Sequence, residues 1–202
     1  EGASGFSTGL EYWPGNQSTA EHILPLCEVT RKNNLLYSTH VRNRDRFYDL
    51  GFSEAISTAR AAECRLQISH LQTKYGAPDH AIKHAIEMID LGNKYGMDIA
   101  FDIIPHDWSH TLVMAILPKW AQEGGPEKII KRLKESDVRV KIKNNRYPMW
   151  LLVADGIWDK IRILNSKENF DLVGETIKDI AEMRNCDPFD AVFDLIIEEG
   201  TN

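Results

Sequence analysis

Two histidines thirty positions apart hold the residue type best suited to chemistry in this chain. They are His40, in Tyr37-Ser38-Thr39-His40-Val41-Arg42, and His70, in Leu66-Gln67-Ile68-Ser69-His70-Leu71. Each closes a short run that reads as a β-strand feeding a helix. A hydrolytic zinc site uses about three protein ligands, often histidine, and lowers the pKa of a bound water toward roughly 7. Two imidazoles on one rim therefore point to a metal-dependent hydrolase, with a hydrogen-bonded rim residue as the alternative for each. Asp102, in Ala100-Phe101-Asp102-Ile103-Ile104-Pro105, could join them as a ligand, an orienter of an imidazole or an acid/base, or could merely cap a turn. His80 and His84 are four apart, but Ala81 stands where a zincin has glutamate, so they read as helix surface. His106 and His110 flank Trp108 in a loop, where contact with substrate is expected.

These side chains meet only if the strands carrying them run parallel. Ser18 and Glu21 form a capping-box pattern, followed at helical spacing by Ile23, Leu24, Cys27 and Thr30. Residues 35–39 read as a strand, Ser53 as the cap of a helix running to about Cys64, and residues 66–70 as the next strand. Pro78 opens a third helix with an apolar face of Ile82, Ala85, Ile86 and Ile89, and residues 97–104 complete another strand. With residues 3–8 this makes about four strands at the spacing of a βα unit, hence a parallel sheet with right-handed crossovers.

The fold class is α/β: a partial (β/α)8 barrel segment plus a helical C-terminal part, since a complete barrel needs typically about 250 residues. An open doubly wound sheet is the competing architecture. Beyond Pro105, residues 111–117 and 126–135 read as helices and Trp158 to Leu164 as a strand. Thr176 with Asp179, and Asp187-Pro188, start two further helices. One domain over 1–202 is expected, with regular βα units in 1–105 and a helical elaboration in 106–202.

A formal charge of −6 argues against nucleic acid or an anionic membrane as partner. Lys128 to Lys143 is locally basic and reads as a solvated helix face. Three cysteines without a CxxC pair read as thiols of a reducing compartment, the cytoplasm. There is no run approaching the roughly 20 apolar residues of a membrane span, no phosphate-binding glycine loop and no nucleophile elbow. The chain opens on Gly2-Ala3-Ser4-Gly5-Phe6-Ser7-Thr8-Gly9-Leu10, which reads as a strand end and a turn cut from something longer.

Four separated segments resemble a known family. Gly5-Phe6-Ser7-Thr8-Gly9-Leu10-Glu11-Tyr12-Trp13-Pro14-Gly15, Thr39-His40-Val41-Arg42, Ile68-Ser69-His70-Leu71, and Gly174-Glu175-Thr176-Ile177-Lys178-Asp179-Ile180-Ala181 with Asp187-Pro188 are similar to N-acyl-D-amino-acid deacylases of the amidohydrolase superfamily. The resemblance implies a zinc-dependent barrel that hydrolyses the amide of small N-acylated D-amino acids. It makes His40 and His70 zinc ligands, Tyr12 a substrate-pocket residue and Arg42 a pocket-side arginine. By the same comparison the His-x-His pair and bridging cysteine lie upstream of this chain and the catalytic aspartate downstream. The chain is then a central fragment, inactive alone and prone to self-association through unpaired strand edges.

Gln72 stands where the family has a lysine, and Ile104 and His106 stand where it has tyrosines, at positions associated with the substrate carboxylate; Lys74 is a nearby substitute. A non-catalytic or degenerate barrel domain and a cyclic-amide hydrolase of hydantoinase or dihydroorotase type stay open as alternatives.

Overall fold

A computed structural model describes residues 2–145 and 150–200. The chain divides into two compact units, residues 1–109 and 110–202. In the first, β1 (Gly5–Gly9), β2 (Leu36–His40), β3 (Arg65–Ile68) and β4 (Ile99–Phe101) form a parallel sheet in the order β1-β2-β3-β4. The crossovers are α1 (Ala20–Lys32), α2 (Tyr48–Ala62) and α3 (Ala81–Lys94). Alternation in the strands decides which face is covered. Tyr37, Thr39, Leu66 and Ile68 are buried and share a core with Cys27, Phe52, Ala59, Ala85 and Ile89. Their neighbours Ser38 and Gln67 lie on the other, polar face, where Ser38 and Ser69 share a hydroxyl hydrogen bond of 3.1 Å.

The register brings the candidate residues to one end of the sheet. Gly9 pairs with His40 and Thr39 with Ile68. The ladder then continues through Ser69 N–H to the Thr39 carbonyl (2.9 Å) and Asp102 N–H to the Ile68 carbonyl (3.1 Å). The carboxyl ends of parallel strands are where βα folds place their sites.

Several boundaries differ from expectation. Thr19 rather than Ser18 caps α1, its N–H donating to His22 Nδ1 at 3.1 Å. Ser53 lies inside α2, which starts earlier because Asp45 Oδ1 accepts the Phe47 N–H (3.2 Å) and turns the chain into the helix. In α3 the buried side chains are Ala81, Ala85 and Ile89, while Ile86 is turned outward and Pro78 precedes the helix. His84 is exposed but engaged, its Nδ1 2.8 Å from the Tyr48 hydroxyl.

The second unit contains a 3-10 turn (Val113–Ile116), α4 (Lys119–Gln122), α5 (Pro126–Leu133), α6 (Ser136–Lys143), α7 (Leu151–Ala154), α8 (Ile177–Met183) and α9 (Pro188–Glu199). Its core includes Leu133, Ile142, Ile177, Ile180, Val192 and Phe193. Thr176 caps α8 as expected, its Oγ1 accepting the Asp179 N–H (3.1 Å), and Asp187 caps α9 by accepting the Phe189 N–H (2.9 Å). The expected strand 158–164 is instead a 3-10 turn (Trp158–Lys160) followed by an isolated antiparallel bridge between Arg162 and Thr176. Trp158 is drawn into the core edge-on to Phe189, which bends the chain where the Ile161/Ile163 alternation suggested extension. The basic stretch is not simply solvated: Arg139 pairs with Asp190 and Asp194, and Lys143 with Asp187 and Asp190.

Candidate active site

The chain leaves β1 at Gly9 and turns at once. A Cβ on Gly15 would overlap the Gly9 carbonyl, so glycine lets the turn close on itself. Leu10 N–H donates to the His40 carbonyl (3.0 Å), extending the β1–β2 pairing and setting Glu11 against the His40 ring. After β2, Gly51 of α2 lies so close to the Arg42 and Asn43 carbonyls that no side chain fits there. That contact presses the loop inward and leaves Arg44 only 7% exposed. Lys74 arrives on the loop after β3, its N–H bonded to the Arg44 carbonyl (2.6 Å).

Glu11 is the hub of these three elements. Its Oε2 accepts from His40 Nε2 (2.8 Å), Lys74 Nζ (2.5 Å) and Arg44 Nη2 (3.2 Å). Burial pushes the Glu11 carboxyl up, but the His40 hydrogen bond and the Lys74 and Arg44 charges outweigh it and bring it to about 2. His40 moves the other way from a simple ion pair. Burial depresses it, Glu11 raises it, and Arg44 depresses it further, for a net lowering. The ring is therefore a neutral imidazole donating to a carboxylate.

Arg44 Nη2 also lies 3.1 Å from His40 Nε2. Guanidinium only donates and an ionised carboxylate only accepts, so one nitrogen cannot serve both. The shorter contact assigns the proton to Nε2, facing Glu11, and leaves the lone pair on Nδ1. Tyr12 closes the group, its hydroxyl 3.3 Å from Nε2 and its ring 4.9 Å from the imidazole.

His70 stands 5.5 Å from His40 between ring centroids, edge-on at 82°. Its Nδ1 is 3.2 Å from Asp102 Oδ1, close enough for an ion pair but without hydrogen-bond geometry. Burial raises the Asp102 carboxyl, while hydrogen bonds from the His70 backbone and Gln67 lower it more.

The pair fits a shared ion. Two imidazoles binding one tetrahedral zinc at about 2.0–2.1 Å have centroids roughly 5 Å apart. Each ring also keeps one nitrogen turned to a carboxylate, as metal-bound imidazoles do. Among the described residues, no group of three or more His, Cys, Asp or Glu side chains is arranged to hold a metal. These residues supply part of such a site.

The other expected residues divide. Tyr12 joins the histidines. Arg42 is engaged by Glu54 (Nε to Oε2, 2.6 Å) and by the Ser18 carbonyl (2.6 Å). Gln72 is half-buried, and His106 is exposed and stacked on Trp108 at 5.2 Å. The sequence reading missed Glu11 and Arg44 as site residues. The one signal available was three charged residues, Glu11, Arg44 and Lys74, each within six positions of a strand end.

Sequential parallel strands with histidines at or just past the ends of two neighbours match a segment of a (β/α)8 barrel. The proteins it resembles are N-acyl-D-amino-acid deacylases. A zinc and phosphonate complex of N-acyl-D-glutamate deacylase from Bordetella bronchiseptica superposes with a TM-score of 0.70 at 25% identity, covering 96% of this chain and 33% of that one. A D-aminoacylase, described as defining a novel subset of amidohydrolases, superposes at 0.67 and 20% identity with the same coverage. Another D-aminoacylase structure concerns a binuclear metal centre.

In sequence, the N-acyl-D-glutamate deacylase of Alcaligenes xylosoxydans xylosoxydans is 29% identical over 113 residues, 56% of this chain and 23% of the relative. The N-acyl-D-aspartate deacylase of the same organism is 31% identical over 70 residues, 34% of this chain and 14% of the relative. The chain thus spans about a third of the solved relatives and less of the curated ones. No protein-family model matches it.

Proposed function

We propose that the intact protein hydrolyses the amide bond of N-acyl-D-amino acids or related linear amides, and that residues 1–202 are a segment of one amidohydrolase barrel domain. The observation that carries this reading is the His40–His70 pair, edge-on at adjacent strand ends with a carboxylate at each ring. His40 and His70 would hold zinc together with ligands outside the described residues, and the bound ion would supply a Lewis acid and a water of lowered pKa. Glu11 orients His40, while burial and the Arg44 charge keep its ring neutral against the pull of that carboxylate. Tyr12 lines the pocket, with Gln72 and His106 as further substrate contacts, while Arg42 holds the turn behind them. Arg44 and Lys74 lend positive potential suited to an anionic substrate, in keeping with relatives that act on N-acyl-D-glutamate and N-acyl-D-aspartate.

His40→Ala and His70→Ala in the complete enzyme should each remove most zinc and lower kcat/KM for an N-acyl-D-amino acid by about 100-fold or more. Unchanged activity would overturn the assignment. A second reading is a non-catalytic barrel segment, favoured by the lack, among the described residues, of three or more His, Cys, Asp or Glu side chains arranged to hold a metal. Zinc content separates the two, since a functional site retains about one ion per complete chain.

No described helix is long and apolar enough to cross a membrane. The free thiols of Cys27, Cys64 and Cys186 support a reducing, cytoplasmic setting. The 202-residue chain alone should be inactive and should associate through the outer edges of β1 and β4. A monodisperse monomer in light scattering would count against association.

A further inference from the structure

His70 adopts a left-handed backbone conformation, φ 59°. Residues other than glycine seldom do so unless their surroundings impose it. Here one residue on the next strand's extension bonds to almost every position of the turn. Asp102 donates its N–H to the Ile68 carbonyl (3.1 Å) and accepts the Leu71 N–H on its own carbonyl (2.8 Å). Its side chain fills the space between those bonds: Oδ1 accepts the His70 N–H (2.8 Å) and Oδ2 accepts Gln67 Nε2 (3.1 Å). Oδ1 also stands 3.2 Å from His70 Nδ1. Ser69, the position skipped, donates instead to Thr39 (2.9 Å). Every N–H from Ser69 to Leu71 thus has an acceptor, and the His70 N–H has only a side chain to go to.

We propose that Asp102 is a positioning residue for His70: its carboxylate holds the turn in the left-handed form that aims the imidazole at His40, and its negative charge 3.2 Å from Nδ1 favours the ring proton on that nitrogen without a hydrogen bond to it, with Gln67 fixing the carboxylate. Its functional weight rests on the reading of His70 as a metal ligand; the geometry does not. The Asp102 backbone bonds survive any substitution there, so the β3–β4 ladder persists and the side chain's part can be isolated. Asp102 is half exposed, which also favours folding of its variants.

The test uses the ¹⁵N-labelled full chain with Asp102→Ala, Asp102→Asn and Gln67→Met. In Asp102→Ala the His70 amide should exchange about tenfold faster, and the ring should shift from Nδ1–H toward the Nε2–H form that free imidazole side chains prefer. In Asp102→Asn the retained Oδ1 acceptor should keep the amide within about threefold of wild type while the ring preference weakens. Gln67→Met should give the same changes at smaller size. A merely structural contribution would alter exchange at Ser69, His70 and Leu71 alike and leave the tautomer unchanged. That result, or wild-type behaviour of Asp102→Ala, overturns the proposal.

Zinc chloride alone, titrated into the same samples, should bind Asp102→Ala about 10- to 100-fold more weakly than wild type. Equal zinc affinity in the two also overturns the proposed role. A wild-type chain whose His70 does not respond to zinc, with the exchange and tautomer effects intact, overturns the ligand reading and leaves the positioning role established.

Discussion

Around His40 the chain gathers Glu11, Arg44 and Lys74 into a largely buried cluster, whereas around His70 it offers an exposed carboxylate and a turn of backbone. The two rings face one another, yet different physics holds each. His40 is set by electrostatics in a poorly hydrated pocket, where one carboxylate satisfies two cations and an imidazole. His70 is set by hydrogen-bond geometry at a surface, where charge counts for less. A rim that needs two imidazoles at a fixed separation can thus make one part of the core and leave the other adjustable.

The largest effect should come from Glu11→Ala, which leaves Arg44 and Lys74 facing each other without their shared counter-charge. Urea unfolding should show a loss of about 3–5 kcal/mol. A loss below about 1 kcal/mol would mean the cations relax into water, and the contrast with His70 would fail.

Acid should reproduce much of this. The Glu11 carboxyl falls from 4.5 to about 2 in the fold, so it contributes about 3 kcal/mol above the unfolded value, lost as pH drops from about 4.5 toward 2. His40 has the same sign. Its depressed value means that the unfolded chain takes the proton first, so stability also declines as pH falls below about 6.5. Glu11→Gln should flatten the pH dependence of unfolding between about 4.5 and 2, and an unaltered slope would show that another carboxylate dominates.

Lys74→Met should cost less, about 1 kcal/mol in the same unfolding assay, because Arg44 still balances Glu11 and the Lys74 side chain is a quarter exposed. Smallest of all in stability is Asp102→Ala, under about 1 kcal/mol, since the carboxylate is half exposed and the ladder around it stays. If it matched Glu11→Ala, His70 would be as deeply built into the core as His40.

The sequence was most legible where structure is local. The Thr176–Asp179 and Asp187-Pro188 caps were readable because cap and recipient lie within three residues. β2 and β3 were readable from short β-prone runs between helical patterns. Ser53 misled because a serine before an apolar run resembles a cap, while Asp45, eight residues earlier, makes the turn. The Ile161/Ile163 alternation misled because a strand needs a partner, and only a single bridge forms there. Glu11 went unread for a different reason: its partners lie 29, 33 and 63 residues away.

By itself, then, the sequence determined the rhythm of βα units, the two histidines at strand ends and the resemblance those motifs carry. These depend on periodicity and on neighbours a few residues apart. Only the tertiary structure decided that Glu11 binds His40, Arg44 and Lys74 together, which nitrogen of His40 keeps its proton, and why His70 is left-handed. Those outcomes follow from the parallel register, which brings the ends of β1, β2 and β3 and the extension of β4 to one rim, where burial turns scattered charges into a single coupled group.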